Sequence, residues 1–494
     1  MKYYNLQLIS IIFSVAVCTP TALSNEVIQT DEKQRQSASL PSVSPSILPS
    51  LLAAFNQGDR QTVSRYLLEN INPESIGMYG IEAHIGGMLN NRNTHGKLTL
   101  VKHLSMNGSN ERAQVIAEHN QFSYILHVNR TTTQPYKINY FYLAEAKSET
   151  VIKRKINVDE FKTQLNKFLD NVANHDAFSG TVLVAKNKQV LFQQAFGQAN
   201  KSFEIANNLS TKFSLGSMNK MFTAIATLQL IGRGKLNFED KLIDYVDSSW
   251  LPKKEAEQIT IRQLLTHTSG LGNFFTDEFN NSSKGNYREL SSYKNIIAST
   301  PLLFTPGTSN RYSSSGMHML GLVIEKVSGD SYYDYVDKNI YKEANMVNSA
   351  SYELDAITPN LAIGYLKMAH SDSWVNNYYS SGIKGGPAGG GYSTVTDLYN
   401  FSQALIQFKL LSKEMTEQAY SNKVQYNSPA WYGYGFVVSG AIDDRVVGHN
   451  GASLGVDAQL DIHLDKDVVV IILANQSDVV APVRRKVNEL ISQL

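Results

Sequence analysis

The sequence predicts an α+β protein in which one antiparallel sheet is flanked by helices and carries an inserted all-helical lobe. A smaller α+β domain precedes it. Three observations carry this reading. Segments with strand alternation lie at both ends of the second part of the chain, around Thr181–Phe196 and Tyr434–Leu473. Between them, from Ser217 to about Phe408, helical apolar spacing dominates, broken by glycine-rich loops. Ahead of both, two helical patterns are followed by several short alternating segments.

The 494 residues suffice for two or three domains. A formal net charge of +1 gives no electrostatic ground for a nucleic-acid or anionic-membrane partner. Lys2 precedes an apolar run, Leu6 to Val17, too short to span a bilayer, and Ala22-Leu23-Ser24 supplies small residues where a signal peptidase reads. A signal peptide over 1–24 and an exported, periplasmic or secreted protein are therefore expected. Val17 is not small, so a lipoprotein signal at Cys18 is not expected. Cys18 is the one cysteine, so cleavage after Ser24 would exclude disulfides and thiol catalysis. No other apolar stretch is long enough to cross a membrane.

In chain order, residues 25–46 are polar and rich in Gln, Ser and Pro, which reads as a linker. Leu48, Leu51, Leu52 and Phe55, then Val63, Tyr66 and Leu67, follow helical spacing. After Gly86-Gly87 the pattern changes to alternating segments, Lys97–Leu104, Glu111–Glu118, Phe122–Asn129 and Lys137–Leu143. Together they predict a small α+β domain over 47–147. Its outline resembles the cone-shaped domains of the nuclear-transport-factor-2-like superfamily. Its histidines (His84, His95, His103, His119, His127) lack close ligand spacing, so no metal site is predicted there.

A second unit spans 158–494. Phe161, Leu165 and Phe168-Leu169 mark a helix, and Thr181–Ala185 and Val190–Phe196 are strands around a polar turn. Near the end, strands are expected at Tyr434–Val438, Arg445–Val447, Ala458–Leu464 and Val468–Leu473, with a closing helix from Val483.

The chemistry starts at Ser217-Met218-Asn219-Lys220. Gly216 leads into an apolar helical run, Met221, Phe222, Ile225 and Leu228. Residues three apart share a helix face, so the Ser217 hydroxyl and the Lys220 amine would be neighbours at a helix N-terminus. The positive end of a helix favours an oxyanion and disfavours an ammonium, and a desolvated lysine can activate a serine. The tetrad alone also fits a capping serine beside a solvated lysine.

Other segments join it. Arg311-Tyr312-Ser313-Ser314-Ser315-Gly316 leads into the apolar helix Met317–Val327, and Val446-Val447-Gly448-His449-Asn450-Gly451-Ala452 reads as a strand ending in a small-residue turn. Between them lie Thr266-His267-Thr268-Ser269-Gly270-Leu271 and the glycine-rich Gly385–Gly391. In this order and spacing the segments resemble the serine β-lactamase-related family: class C β-lactamases, D,D-peptidases, D-aminopeptidases and related esterases. The resemblance covers roughly Val158 to Leu494 and implies the β-lactamase/transpeptidase-like fold.

The resemblance implies roles residue by residue. Ser217 is the acylated nucleophile. Lys220, kept neutral by burial, takes its proton directly or through Tyr312. Tyr312 passes a proton to the leaving group. The N–H groups of Ser217 and Ala452 form the oxyanion hole. His449 replaces the lysine of the third motif as a catalytic residue, with Asn450, Gly451 and Ser314 placed to contact substrate. Gly451 would let the strand edge approach the substrate, having no Cβ.

Two departures narrow the substrate. Ser314 stands where the family's Tyr-x-Asn motif has asparagine; it can still bond Lys220 but offers no amide to a substrate. His449 has a reference pKa of about 6.5 against about 10.4 for lysine, and a neutral imidazole holds a carboxylate poorly. D-amino-acid peptides or small esters are therefore expected as substrates ahead of β-lactams, whose recognition uses that carboxylate. A non-catalytic binding protein on the same scaffold and an acyltransferase are the alternatives. No metal or organic cofactor is implied, and oligomeric state is not specified. His267 reads as a structural turn residue. Gly451-Ala452-Ser453-Leu454-Gly455 matches a nucleophile elbow, but strand alternation follows where that motif requires a helix.

Overall fold

The computed structural model describes residues 45–146, 154–367, 373–441 and 444–494. The predicted signal peptide, Cys18 and nearly all of the linker lie outside the described residues. The described residues divide into two compact units, one holding residues 45–92 and 96–146, the other 93–95 and the chain from 154 onward.

In the smaller unit four helices, Leu48–Gln57, Arg60–Asn70, Pro73–Tyr79 and Ile81–His95, precede four antiparallel strands paired in sequence order. Two of these helices go beyond the sequence reading. Pro73–Tyr79 is set by its start: Pro73 occupies the first helical position and the Asn72 side chain accepts from Glu74 N. Gly86-Gly87, read as a boundary, lies inside Ile81–His95. Two interior glycines cost about 2 kcal/mol relative to alanine, and burial of Ile85, Met88 and Leu89 on one face offsets this. On the sheet, Ala113, Val115 and Ala117 alternate with exposed or half-buried neighbours, as do Tyr124, Leu126 and Val128.

The larger unit is built on an eight-stranded antiparallel sheet. Its order is Val424–Asn427, Ala430–Tyr432, Val437–Ala441, Asp444–Ser453, Val456–His463, Val468–Ala474, Gly180–Lys186 and Gln189–Phe196. The two ends of the unit meet where Val468–Ala474 pairs with Gly180–Lys186 along its whole length. All seven residues of Val468–Ala474 are buried, which is why this strand reads as a continuous apolar run. Val469, Ile471 and Leu473 join the core of the helical lobe, with Phe222, Leu320 and Phe401. The lobe is not wholly helical: Ala350–Ser351, Gly391–Ser393 and Phe213–Ser214 form a small sheet within it.

One difference from the sequence reading shapes the site. His449-Asn450-Gly451 is strand, not turn: the strand runs Asp444–Ser453 and pairs with Val456–His463 through Ser453. Small polar residues suggested a turn, but the partner strand satisfies their backbone groups. On the opposite flank, pairing with Val437–Ala441 stops at Gly448. The half of the strand from His449 onward therefore has an open edge there.

Candidate active site

The nucleophile candidate sits between a short strand and a buried helix. Phe213–Ser214 leads to Gly216, at φ +48°, and a single 3-10 turn, Gly216–Met218. The helix Asn219–Gly232 follows, with every residue from Asn219 to Leu230 buried. Such burial suits a helix that is apolar nearly all round, but it also carries Lys220 into the core. Lys220 Nζ lies 3.1 Å from Ser217 Oγ and donates to the Ala388 carbonyl. Desolvation pushes the amine down to about 7. A neutral amine that donates to Ala388 keeps its lone pair for the Ser217 hydroxyl.

The glycine-rich segment does more than lead to the helix Val395–Ile406, which Thr394 caps. Three successive carbonyls grip the start of the nucleophile helix. Gly386 accepts from Asn219 Nδ2 at 2.9 Å, Pro387 from Thr223 Oγ1 at 2.7 Å, and Ala388 from Lys220. Sequence reasoning missed Ala388 because a backbone carbonyl leaves no side-chain signature.

Tyr312 precedes the helix Ser314–Ser328, whose start is capped by Ser313 Oγ accepting from Gly316 N at 2.8 Å. The Tyr312 ring is half-buried, but its hydroxyl is buried and has no hydrogen-bond partner among the described residues. Lys220 Nζ lies 4.7 Å from the ring centre. Burial pushes the phenol far up, and the nearby Ser217 hydroxyl opposes this. Ser314 is brought to the same helix start, but its N–H donates to Asn273 Oδ1. Among the described residues no hydrogen bond joins its hydroxyl to Lys220, contrary to expectation.

His449 is buried, and both ring nitrogens are engaged. Nδ1 lies 2.5 Å from the Asn450 carbonyl, so it carries the hydrogen; Nε2 then accepts from the Tyr432 hydroxyl at 3.2 Å. Burial lowers its pKa to about 4, with Lys220 pushing the same way and the Asn450 contact opposing. The ring is thus a neutral strut within the strand, without a free donor for substrate. Asn450 contributes its carbonyl to this arrangement, and the residue itself is exposed.

Gly451 also has a reason within the fold to be glycine. A Cβ there would stand 1.9 Å from the Leu215 carbonyl oxygen. The close approach is to the turn that carries Ser217. Reciprocally, a Cβ on Gly216 would come within 3.1 Å of Ala452 N. The open half of the strand thus brings the Ala452 amide against the turn bearing the Ser217 amide. Ser453 closes a hairpin between two strands, so no nucleophile elbow forms there.

A sequence model described as beta-lactamase matches residues 165–492. The chain belongs to the beta-lactamase family. The family match lies wholly within the larger unit. A penicillin-binding protein of Bacillus subtilis (strain 168) is 29% identical over 334 residues, covering 64% of this chain and 72% of the relative. PbpX of the same organism is 31% identical over 297 residues, covering 60% and 70% respectively. Among solved structures, a penicillin-binding protein from Bacillus halodurans superposes with a TM-score of 0.60 at 29% identity, over 68% of this chain and 99% of that one. The larger unit has the β-lactamase/transpeptidase-like fold, and this beta-lactamase-family chain is an enzyme of the serine-hydrolase type.

Proposed function

We propose that the protein is an exported serine hydrolase that forms an acyl-enzyme on Ser217 and acts on D-amino-acid peptides or small esters rather than on β-lactams. The observation that carries this is the 3.1 Å approach of a fully buried, deprotonatable Lys220 to the Ser217 hydroxyl. As Ser217 Oγ bonds to the carbonyl carbon, its proton moves to Lys220. The carbonyl oxygen becomes an oxyanion, held by the Ser217 and Ala452 N–H groups. Collapse breaks the bond to the leaving group, which takes the proton through Tyr312. Water then attacks the acyl-enzyme, gives a proton to Lys220 by the same route, and Ser217 leaves with it.

The preference against β-lactams rests on His449 being neutral with both nitrogens occupied. Loss of a charged hydrogen bond to a substrate carboxylate is worth about 1.5–3 kcal/mol, or about 10- to 100-fold. The relatives' name states that they bind penicillin, which is a different property from turning it over. A fluorophosphonate probe should label the wild type and leave Ser217→Ala unlabelled. Equal labelling, or equal hydrolysis of a chromogenic ester, would sink the assignment. In a panel of D- and L-aminoacyl amides, esters and nitrocefin, nitrocefin should be turned over at least about tenfold more slowly than the best ester. Export rests on the pattern in residues 1–24; protein recovered outside the cytoplasm should begin at Asn25, and an intact Met1 there would contradict it.

A further inference from the structure

His267 grips Tyr312 from three directions. The residue before Tyr312 donates to the His267 backbone: Arg311 N to His267 O is 2.9 Å. The residue after it donates to the His267 ring: Ser313 N to His267 Nδ1 is 3.2 Å. The imidazole itself packs on the Tyr312 ring, centroids 4.6 Å apart, while Tyr432 covers it from another direction at 4.6 Å.

His267 holds this grip at a conformational cost. Its φ is +60°, a region that residues with side chains seldom adopt. Because Nδ1 accepts from Ser313, the ring hydrogen sits on Nε2, and that atom is buried with no hydrogen-bond partner among the described residues. A glycine would relieve the backbone, and an apolar residue would remove the unmatched donor. Neither would supply the acceptor for Ser313 together with a flat surface for Tyr312. Burial, with Lys220 and His449 nearby, holds the imidazole well below its ordinary range, so it stays neutral beside the amine.

We propose that His267 is a positioning residue that clamps Tyr312 against Ser217 and Lys220, acting through Tyr312 and without touching substrate. This rests on the reading of Tyr312 as the proton relay to Ser217. The clamp explains how this tyrosine is held beside Ser217: its backbone is tied on both sides and its ring is packed by the same residue.

The test uses the full chain carrying 3-fluorotyrosine, with the Tyr312 resonance assigned by its loss in Tyr312→Phe. His267→Ala should slow fluorophosphonate labelling of Ser217 by about 100-fold, the scale of a 1 Å misplacement. It should also shift or broaden the Tyr312 fluorine line. His267→Asn places Oδ1 where Nδ1 stood and tolerates positive φ, so it should recover most of the rate and the line. In a Tyr312→Phe background, His267→Ala should cost little more, because the two act as one unit. Wild-type labelling with an unchanged fluorine line in His267→Ala would overturn the proposal. So would an equal loss in both backgrounds, which would mark general structural damage. If Ser217→Ala labels like wild type, the hydrolase reading fails, yet the fluorine line still decides whether His267 holds Tyr312.

Discussion

Lys220→Met is expected to remove about 10²- to 10⁴-fold of the acylation rate while making the protein more stable at pH 7. The two effects share one cause. In the unfolded chain Lys220 is protonated below about 10.5; in the fold, burial brings it down to about 7. The unfolded state therefore binds a proton that the folded state does not hold, and stability is lost as pH falls from 10.5 to 7. At pH 7 a shift of this size corresponds to about 4–5 kcal/mol. Methionine avoids that cost but leaves the Ala388 carbonyl without its donor, which costs about 1–3 kcal/mol. A net gain of about 1–4 kcal/mol remains, read as a higher urea midpoint. The gain should shrink toward zero, or reverse, as the pH is raised to 10.5. Wild-type acylation should rise with pH through about 7, as Lys220 loses its proton. It should show no inflection from His449 in that range, since that ring titrates near 4. Lys220→Met should lack the rise at 7. If the variant is less stable at every pH, the lysine is not being desolvated as its surroundings indicate.

How far the site was legible depended on whether a residue acts through its side chain in a local pattern. Ser217 and Lys220 are three apart on one turn, so helical spacing alone brought them together, and the distance of 3.1 Å follows from that spacing. The sheet ends were legible because Val468–Ala474 is buried on both faces and reads as an unbroken apolar run. What stayed hidden acts over long sequence separations or through the backbone. Ala388 supplies a carbonyl 168 residues from Lys220. Tyr432 reaches His449 across the sheet, and nothing in Trp431–Phe436 distinguishes that tyrosine from Tyr434. His267 looked like turn chemistry because its turn is real, with positive φ; only the fold shows what the ring is packed against. The His449-Asn450-Gly451 strand was misread as a turn because residue type cannot reveal that Val456–His463 continues the pairing there. In the smaller unit, Gly86-Gly87 looked like a break because glycine disfavours helix, and tertiary burial of Ile85, Met88 and Leu89 prevailed.

Gly451→Ala is expected to cost about 100-fold in the acylation rate, a large effect for one methyl group. An added Cβ would stand 1.9 Å from the Leu215 oxygen and 2.9 Å from its carbonyl carbon, both backbone atoms that cannot rotate aside. Either the strand Asp444–Ser453 or the turn Gly216–Met218 must retreat by about 1 Å, the displacement that costs catalysis this much. The strand is held by Val456–His463 along its length, and the turn is tied by Leu215 N donating to the Gly391 carbonyl, so neither moves freely. The strain should lower stability by about 1–3 kcal/mol, measured by denaturant unfolding. The loss should appear in the acylation step, with substrate affinity little changed, because the two oxyanion donors meet the carbonyl oxygen only as its charge develops. Gly285→Ala is the matched control: its nearest neighbour would be Ser283 Oγ, a movable side-chain atom, at 3.6 Å, so activity and stability should stay close to wild type. Acylation by Gly451→Ala within threefold of wild type would mean that the spacing between strand and turn does not set the oxyanion hole. The donors would then have to be sought elsewhere than at Ser217 and Ala452.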